Sequence, residues 1–485
     1  MNITPESQTP KRPEPIRLTA TLRGLAAAAL GISLLSACGA RSELEEPSGA
    51  GGERDPTSCA RPPRSIPASA PLNLRVMEFP SKGLVWAGAI GADENGDIVL
   101  AGVLQGTIDF GGGPRSTSKV AGFIARFDAS GKRLWDRIYV EGSTLNQMII
   151  DPAGNIIVAG SVGGIDLAGE PLAAKISNFV AKLSPAGDVL WSKTFPGAIA
   201  LSTLQSFAVD GCGDVFLTGN STPEDPAPDV EGDGLFVTEY DPSGRLVWTS
   251  SFGGKSDKAM EQPWASIALA ADGGIFLKGA SFGGEFAIGD PGPFFIAKLD
   301  SSGHVLWTRH NLVTGAWFGV DAGGNVSSDV LYEGPLDVGS THLPPTGHDA
   351  LGVARFDALG HAVSATPLAL YAHYYYALAF DPAGTVLVAG SEIDPATSGP
   401  AQVSVSEIDH DGQQIWSWSP PNDGVQLAFA AGFDQRGHPL VAGVDHTQTV
   451  PGAAPGGTAL VNDDGKVVQT IVAASLFVAF DSGNP

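Results

Sequence analysis

The stretch Val180–Phe195, VAKLSPAGDVLWSKTF, reads as a strand of alternating apolar residues, a tight turn ending in Gly187, and a second strand carrying Trp191. The same pattern returns as IARFDASGKRLWDRIY (Ile124–Tyr139), VTEYDPSGRLVWTSSF (Val237–Phe252) and IAKLDSSGHVLWTRHN (Ile296–Asn311). Weaker copies are VARFDALGHAVSATPL (Val353–Leu368), VSEIDHDGQQIWSWSP (Val405–Pro420) and ALVNDDGKVVQTIV (Ala459–Val472). Seven copies at a regular spacing decide the fold before any other motif is weighed.

Between these copies runs a second series of seven, from ADENGDIVLAG (Ala92–Gly102) and IDPAGNIIVAG (Ile150–Gly160) to FDQRGHPLVAG (Phe433–Gly443). Both series carry an Asp-x-x-Gly turn. The Asp side chain caps backbone amides of a type I turn, and the glycine takes the left-handed conformation that closes a bulged hairpin. Ser184 and Asn462 replace the Asp and can still cap. Ala270 cannot, so its turn is expected to be the loosest. The glycine is never replaced, as its positive φ demands.

Each repeat of about sixty residues therefore holds four strands, a to d, with the Trp on d. Seven four-stranded units with apolar alternation and no helical period predict an all-β chain folded as a seven-bladed β-propeller. A β-solenoid is the alternative architecture, but its repeats are normally shorter. Both ends carry a spare strand: Leu72–Pro80 reads as a further d strand and Ser475–Asp481 as a further a strand. Pairing a terminal strand into the last blade hides an open edge, so Leu72–Pro80 is expected to help latch the ring. Eight blades built partly from these two strands are the alternative closure.

The pattern resembles the bacterial seven-bladed propeller repeat proteins (the SBBP type), often lipoproteins. Their units read roughly G-x-x-D-F-G-G, a short gap, then F-V-A-K-(L/F)-D-x-x-G-x-x-x-W. Here the first part stands as Gly106-Thr-Ile-Asp-Phe-Gly-Gly112, Gly164-Ile-Asp-Leu-Ala-Gly169 and Gly334-Pro-Leu-Asp-Val-Gly339. The resemblance covers about residues 84–472, and its motif residues are scaffold, so it implies a fold and not a function. Ser364 and Gln469 stand where the Trp is expected.

The N-terminus divides the chain further. A basic segment with Lys11, Arg12, Arg17 and Arg23 precedes an apolar run, Leu25 to Leu35, too short to span a bilayer. The run ends in Leu35-Ser36-Ala37-Cys38, which resembles the lipobox of bacterial lipoproteins and implies cleavage before Cys38 and a lipid on its sulfur. Residues 1–37 are thus read as a lipoprotein signal peptide, 38–71 as the lipidated Cys and a flexible Pro/Gly/Ser-rich linker, and 72–485 as the propeller. Gly39, and not Asp, follows the cysteine, which favours the outer membrane of the cell envelope. Periplasmic and outer faces both stay open.

The formal charge is −24, and residues 1–37 carry four basic and two acidic groups, so the exported chain is more acidic still. Such acidity disfavours nucleic acid and anionic lipid head groups, leaving the lipid anchor as the only expected link to a membrane. A monomer is expected. With Cys38 lipidated, Cys59 and Cys212 remain as the candidates for a disulfide in an oxidising compartment.

All Asp-x-x-Gly turns fall at one end of the strands and the longer, more varied b–c and d–a loops at the other. Binding residues favour such variable loops on a rigid scaffold. There lie Trp264, Trp317, His373, Tyr374 and Tyr375, the candidate ligand-binding set. The repeated Trp135, Trp191, Trp248, Trp307 and Trp416 read as packing between blades. His342 and His348 share a loop with Asp349 at no familiar metal spacing, and Asp93–Asp97 and Asp409–Asp411 mimic the start of a calcium loop without its distal Glu. No metal, cofactor or catalytic set is expected: there is no G-x-S-x-G elbow and no Ser-His-Asp arrangement. The expectation is a non-catalytic binding platform for a protein or polysaccharide. The alternative is a polysaccharide-active hydrolase or lyase working at the channel mouth.

Overall fold

A computed structural model describes residues 74–163, 167, 177–196, 204–221, 234–253, 264–280, 294–310, 317–346, 350–371, 376–392, 402–419, 425–434, 437–446, 449–450, 458–461, 467–471 and 475–481. Among these residues every regular element is a strand, and no helix is long and apolar enough to cross a membrane. The chain opens with β1 (Leu74–Ala92), β2 (Ile98–Ile108), β3 (Arg115–Phe127) and β4 (Arg133–Glu141). Next come β5 (Thr144–Ile150), β6 (Ile156–Val162), β7 (Ser177–Leu183) and β8 (Val189–Pro196). The following two groups are β9 (Leu204–Val209), β10 (Val215–Ser221), β11 (Gly234–Tyr240), β12 (Leu246–Gly253), and β13 (Trp264–Leu269), β14 (Ile275–Ala280), β15 (Phe294–Leu299), β16 (Val305–His310). Then β17 (Phe318–Val320), β18 (Val326–Tyr332), β21 (Ala350–Phe356) and β22 (Ala362–Tyr371) enclose a small hairpin, β19 (Leu336–Val338) and β20 (Thr341–Leu343). The last complete group is β23 (Tyr376–Phe380), β24 (Val386–Glu392), β25 (Gln402–Ile408) and β26 (Gln414–Trp418). The tail holds β27 (Val425–Phe433), β28 (Pro439–His446), β29 (Thr449–Val450), β30 (Thr458–Val461), β31 (Val467–Ile471) and β32 (Ser475–Asp481).

Paired antiparallel in these groups, the strands make a propeller-like arrangement of small sheets. Among the described residues, five sheets are four-stranded blades, not the seven expected. The first and last repeats do not stand apart. They merge into one seven-stranded sheet, ordered β27-β28-β32-β1-β2-β3-β4. The reason is β1, which pairs with β32 through Leu74–Pro80 and with β2 through Ser81–Ala92.

A second correction concerns the last Trp-type copy. Its two strands, β30 and β31, pair with each other and with β29 in a separate three-stranded sheet. The place beside β28 goes instead to Ser475–Asp481, expected as an a strand. Its Leu476–Phe480 is an unbroken apolar run, buried throughout, and suits a strand covered on both faces better than the four-residue β30 does.

The core lies between neighbouring sheets. Val99, Ala101 and Ile124 of the first group pack with Ile156, Val158 and Phe179 of the second. Similar joint clusters link β9–β12 with β13–β16, and β23–β26 with Ala428, Val441 and Phe477. The first strands of successive groups touch in the series β1, β5, β9, β13, β17, β23, β27, and β27 in turn touches β1. This row of first strands sets where the starts of β13, β17 and β23 lie.

Candidate functional site

The turn end is built from one repeated device. In Asp128, for example, Oδ1 accepts the amides of Ser130 and Lys132 at 2.9 Å each, while Gly131 N donates to Asp128 O. The Ser130 hydroxyl and the Lys132 amide hold the Asp128 carboxyl below its usual range. The Ala270 turn, expected to be loosest, keeps the same backbone bonds, and Asp272 Oδ1 accepts Gly274 N at 2.9 Å in place of the missing cap.

These turns also receive the repeated tryptophans. Trp135 donates its indole N–H to Pro185 O at 3.1 Å, and Trp191 donates to Pro242 O at 3.2 Å, each across to the next sheet. The indoles of Trp135, Trp191, Trp248 and Trp307 lie against Gly187, Gly244, Gly303 and Gly360, the turn glycines of the following sheet. Where Ser364 replaces the Trp, Thr366 occupies the place against Gly412. The inter-sheet packing read from the repeats is what these four indoles do. Trp416 differs in that its N–H goes to Glu407 Oε2 of its own sheet.

At the opposite end, the candidate residues fall unevenly. Tyr374, Tyr375 and His373 lie outside the described residues, as do Cys38 and Cys59. Trp264 opens β13, where its backbone pairs with Ala280. Trp317 immediately precedes β17 and is 44% exposed. Trp264 and Trp317 thus stand at the same ends of the first strands of adjacent sheets, and β13 touches β17. Tyr375 directly precedes β23, whose neighbour is β17.

Trp317 rests on a polar anchor that the sequence reading missed. Its N–H donates to Asp329 Oδ1 at 3.0 Å, and its carbonyl accepts Asp329 N and Ser328 Oγ, both at 3.1 Å. Asp329 is fully buried, and Lys278 Nζ, from the neighbouring sheet, lies 3.6 Å from its Oδ1. Burial pushes the Lys278 ammonium down to about 8, against the upward pull of Asp329. The signal was present in the repeats. At this position of the second strand the copies carry Ala101, Ala159, Thr218, Lys278, Asp329, Ala389 and Ala442, so two adjacent copies exchange a small residue for opposite charges.

The near-calcium segments have other partners. Asp93 and Asp97 both pair with the guanidinium of Arg126, and Asp409 Oδ1 caps its own turn through Asp411 N and Gln413 N. His342 Nδ1 sits 2.7 Å from Asp337 Oδ1, while His348 and Asp349 lie outside the described residues. Asp210, Cys212 and Asp214 bring three ligand-type atoms together, but Cys212 is disulfide-bonded and its sulfur is therefore spent. Its partner lies outside the described residues.

No family model matches the chain, and no curated protein matches its sequence. Among solved structures, it is similar to streptogramin B lyase, with 11% identity, 84% of this chain and 97% of that one covered, and a TM-score of 0.44. It is similar also to a gluconolactonase from Xanthomonas campestris, with 13% identity, 87% and 95% covered, and a TM-score of 0.34. An ulvan lyase of family PL25 gives 13% identity, 76% and 93% covered, and a TM-score of 0.44. Identities this low say nothing about the site.

Proposed function

We propose that this chain is an exported, lipid-anchored repeat propeller whose loop end serves as a non-catalytic binding platform for a polysaccharide or protein. The observation that carries the reading is Trp317: a 44%-exposed indole whose backbone is fixed by Asp329 and Ser328. A half-exposed aromatic on a fixed backbone presents a large apolar face at little entropic cost, and it suits a sugar ring or a partner's apolar groups. Trp264, His373, Tyr374 and Tyr375 are assigned to the same surface; what supports this is that β13, which Trp264 opens, touches β17, and that β17 touches β23, the strand that follows Tyr375 in sequence.

The reading includes a ring of seven blades, supported by the two registers of β1 and by the series of first strands that returns to β1. In it the seven-stranded sheet serves as two blades, the second being β27, β28, β32 and the start of β1. It also includes lipidation at Cys38, an outer-membrane location and a Cys59–Cys212 bridge. The supports are the Leu-Ser-Ala-Cys segment and the disulfide state of Cys212.

The test is a glycan array probed with the soluble body, residues 72–485, beside its Trp317→Ala variant. Binding that falls at least tenfold in the variant supports a polysaccharide platform. Glycan binding indifferent to Trp317 removes this site. Turnover of a bound glycan overturns the non-catalytic reading in favour of a hydrolase or lyase. A blank array moves the search to cross-linking of the lipidated form in its membrane, where a partner captured through a photoreactive group at position 317 supports docking.

A further inference from the structure

At the turn end, two of the sheets set a buried Asp of their first turn beside an Arg or Lys on their third strand. In the second group, Lys182 Nζ meets Asp151 Oδ2 at 2.8 Å with both side chains almost wholly buried. The same oxygen also receives Asn155 Nδ2 at 2.8 Å. In the first group, Arg126 takes the role of Lys182 and pairs with Asp93. A carboxylate out of contact with water is thereby neutralised and hydrogen-bonded, as its burial requires.

The sheet β23–β26 departs from these two pairs twice at one spot, and in β9–β12 Glu239 likewise stands at the register position of Lys182. Asp381 matches Asp151, with Oδ1 capping Ala383 N and Thr385 N at 3.0 and 2.8 Å. Glu407, paired in register with Leu387 as Lys182 is with Ile157, stands where the ammonium should be. Thr385 stands where Asn155 reaches back. The outcome is an Asp381 side chain, in a residue only 2% exposed, whose Oδ2 is buried without a hydrogen-bond partner. Thr385 Oγ1 is buried and unpartnered as well. Arg355 reaches this turn from the neighbouring sheet, but its terminal N–H groups go to Ser327 Oγ, Gly384 O and Asp409 O, and its Nε–H is buried without a hydrogen-bond partner. Burial, together with the charge of Asp381, pushes the Glu407 carboxyl up, while the Trp416 indole N–H pulls it down.

We infer that Asp381, Glu407 and Thr385 form a cation site that takes Ca2+ in place of the Lys182 ammonium of the β5–β8 sheet. Two carboxylates call for two positive charges, and the donor set is oxygen alone, which selects a hard cation. A glutamate is one atom shorter than a lysine, so its carboxylate would stop short of the place where Nζ would have sat. Mg2+ holds its water shell reluctantly broken, whereas this spot, with its residues 2–7% exposed, admits little water. Orphaned buried oxygens of this kind are rare in folded proteins and commonly mark an ion or a bound water. The inference is independent of the platform reading and concerns the other end of the sheets.

The experiment uses the full chain, stripped with EDTA and titrated with CaCl2 by calorimetry and thermal unfolding, with MgCl2 as comparison. The expected result is Ca2+ binding with a rise in Tm of about 2–5 °C at a hundredfold excess over Kd, and at least tenfold weaker Mg2+ binding. Glu407→Lys, which restores the Asp151–Lys182 arrangement, is expected to abolish the Ca2+ response while unfolding above the metal-free wild type. Glu407→Gln is the control should the lysine variant fail to fold, and it too is expected to lose Ca2+ binding. A wild-type chain that binds no Ca2+ overturns the site, as does a Ca2+ response that survives in the variant that folds. In the first case a proton shared between the two carboxyls takes the cation's place.

Discussion

A Cβ at Gly303 would lie 2.5 Å from Trp248 Cζ3, whereas one at Gly113 would meet nothing within 4 Å. Both glycines have positive φ, at 81° and 96°. Gly113→Ala is therefore expected to carry only the backbone cost, about 1 kcal/mol, while Gly303→Ala adds an overpacking term of about 1–3 kcal/mol. Urea unfolding of the two variants checks the gap. The need for glycine was legible in the repeats through the turn. Its second cause, an indole arriving from the preceding sheet, was not, because nothing local to the turn encodes that approach. The Lys278–Asp329 pair is the other residue-scale case. Removing the lysine alone leaves a buried uncompensated carboxylate, so Lys278→Ala is expected to cost about 3–5 kcal/mol, and Lys278→Ala with Asp329→Ala to recover most of it. The folded-state pKa of Lys278, about 8, lies below the ordinary 10.5, so the unfolded chain binds that proton more tightly. Wild-type stability should then gain from this group as pH climbs from about 8 to 10.5, a slope missing from the double variant and absent below 8.

At the scale of the strand, the hairpins share an irregularity that no turn motif announces. Lys298 pairs with Trp307 and Leu299 with Val305, so Leu306 between them is skipped. The same slip occurs at Leu134, Leu190, Val247, Val363 and Ile415, always one residue before the Trp position. All six skipped residues are exposed. Such bulges bend and twist an outer strand and make it a poor template for pairing with another chain. The hairpin β30–β31 keeps the slip, between Leu460 and Val461 on its first strand, although it lies outside the main sheets. The hairpins themselves could be read from the sequence. Which segment entered the last sheet could not, since the copy at Ala459–Val472 and the run Ser475–Asp481 are both apolar enough to read as strands, and burial on two faces suits the second. Replacing residues 451–472 by a short Gly/Ser linker is accordingly expected to leave Tm within a few degrees of wild type, as thermal unfolding by circular dichroism would record.

Across the whole chain, β1 does work that a single strand seldom does, because its nineteen residues belong to two registers. Removing residues 1–80 deletes only the segment that pairs with β32, yet it exposes the edge of β32 and removes the contacts of buried Phe79 with Phe110 and Phe127. That truncation is expected to lower Tm far more than the hairpin replacement and to promote association through the freed edge, measurable by light scattering. The pairing has a further consequence in time. Leu74 and Asp481 are partners although about four hundred residues separate them, and the last strand among the described residues is an interior strand of the sheet that contains the first of them. A ribosome or a translocation pore delivers the N-terminal strand long before its mate exists. Each four-stranded group can condense from local contacts as it emerges, but this sheet must wait until Ser475–Asp481 has emerged, and its loop-closure entropy falls due in one late step. Once made, that junction joins both ends of the described fold, so fraying cannot start at either without first breaking the pairing of β1 with β32.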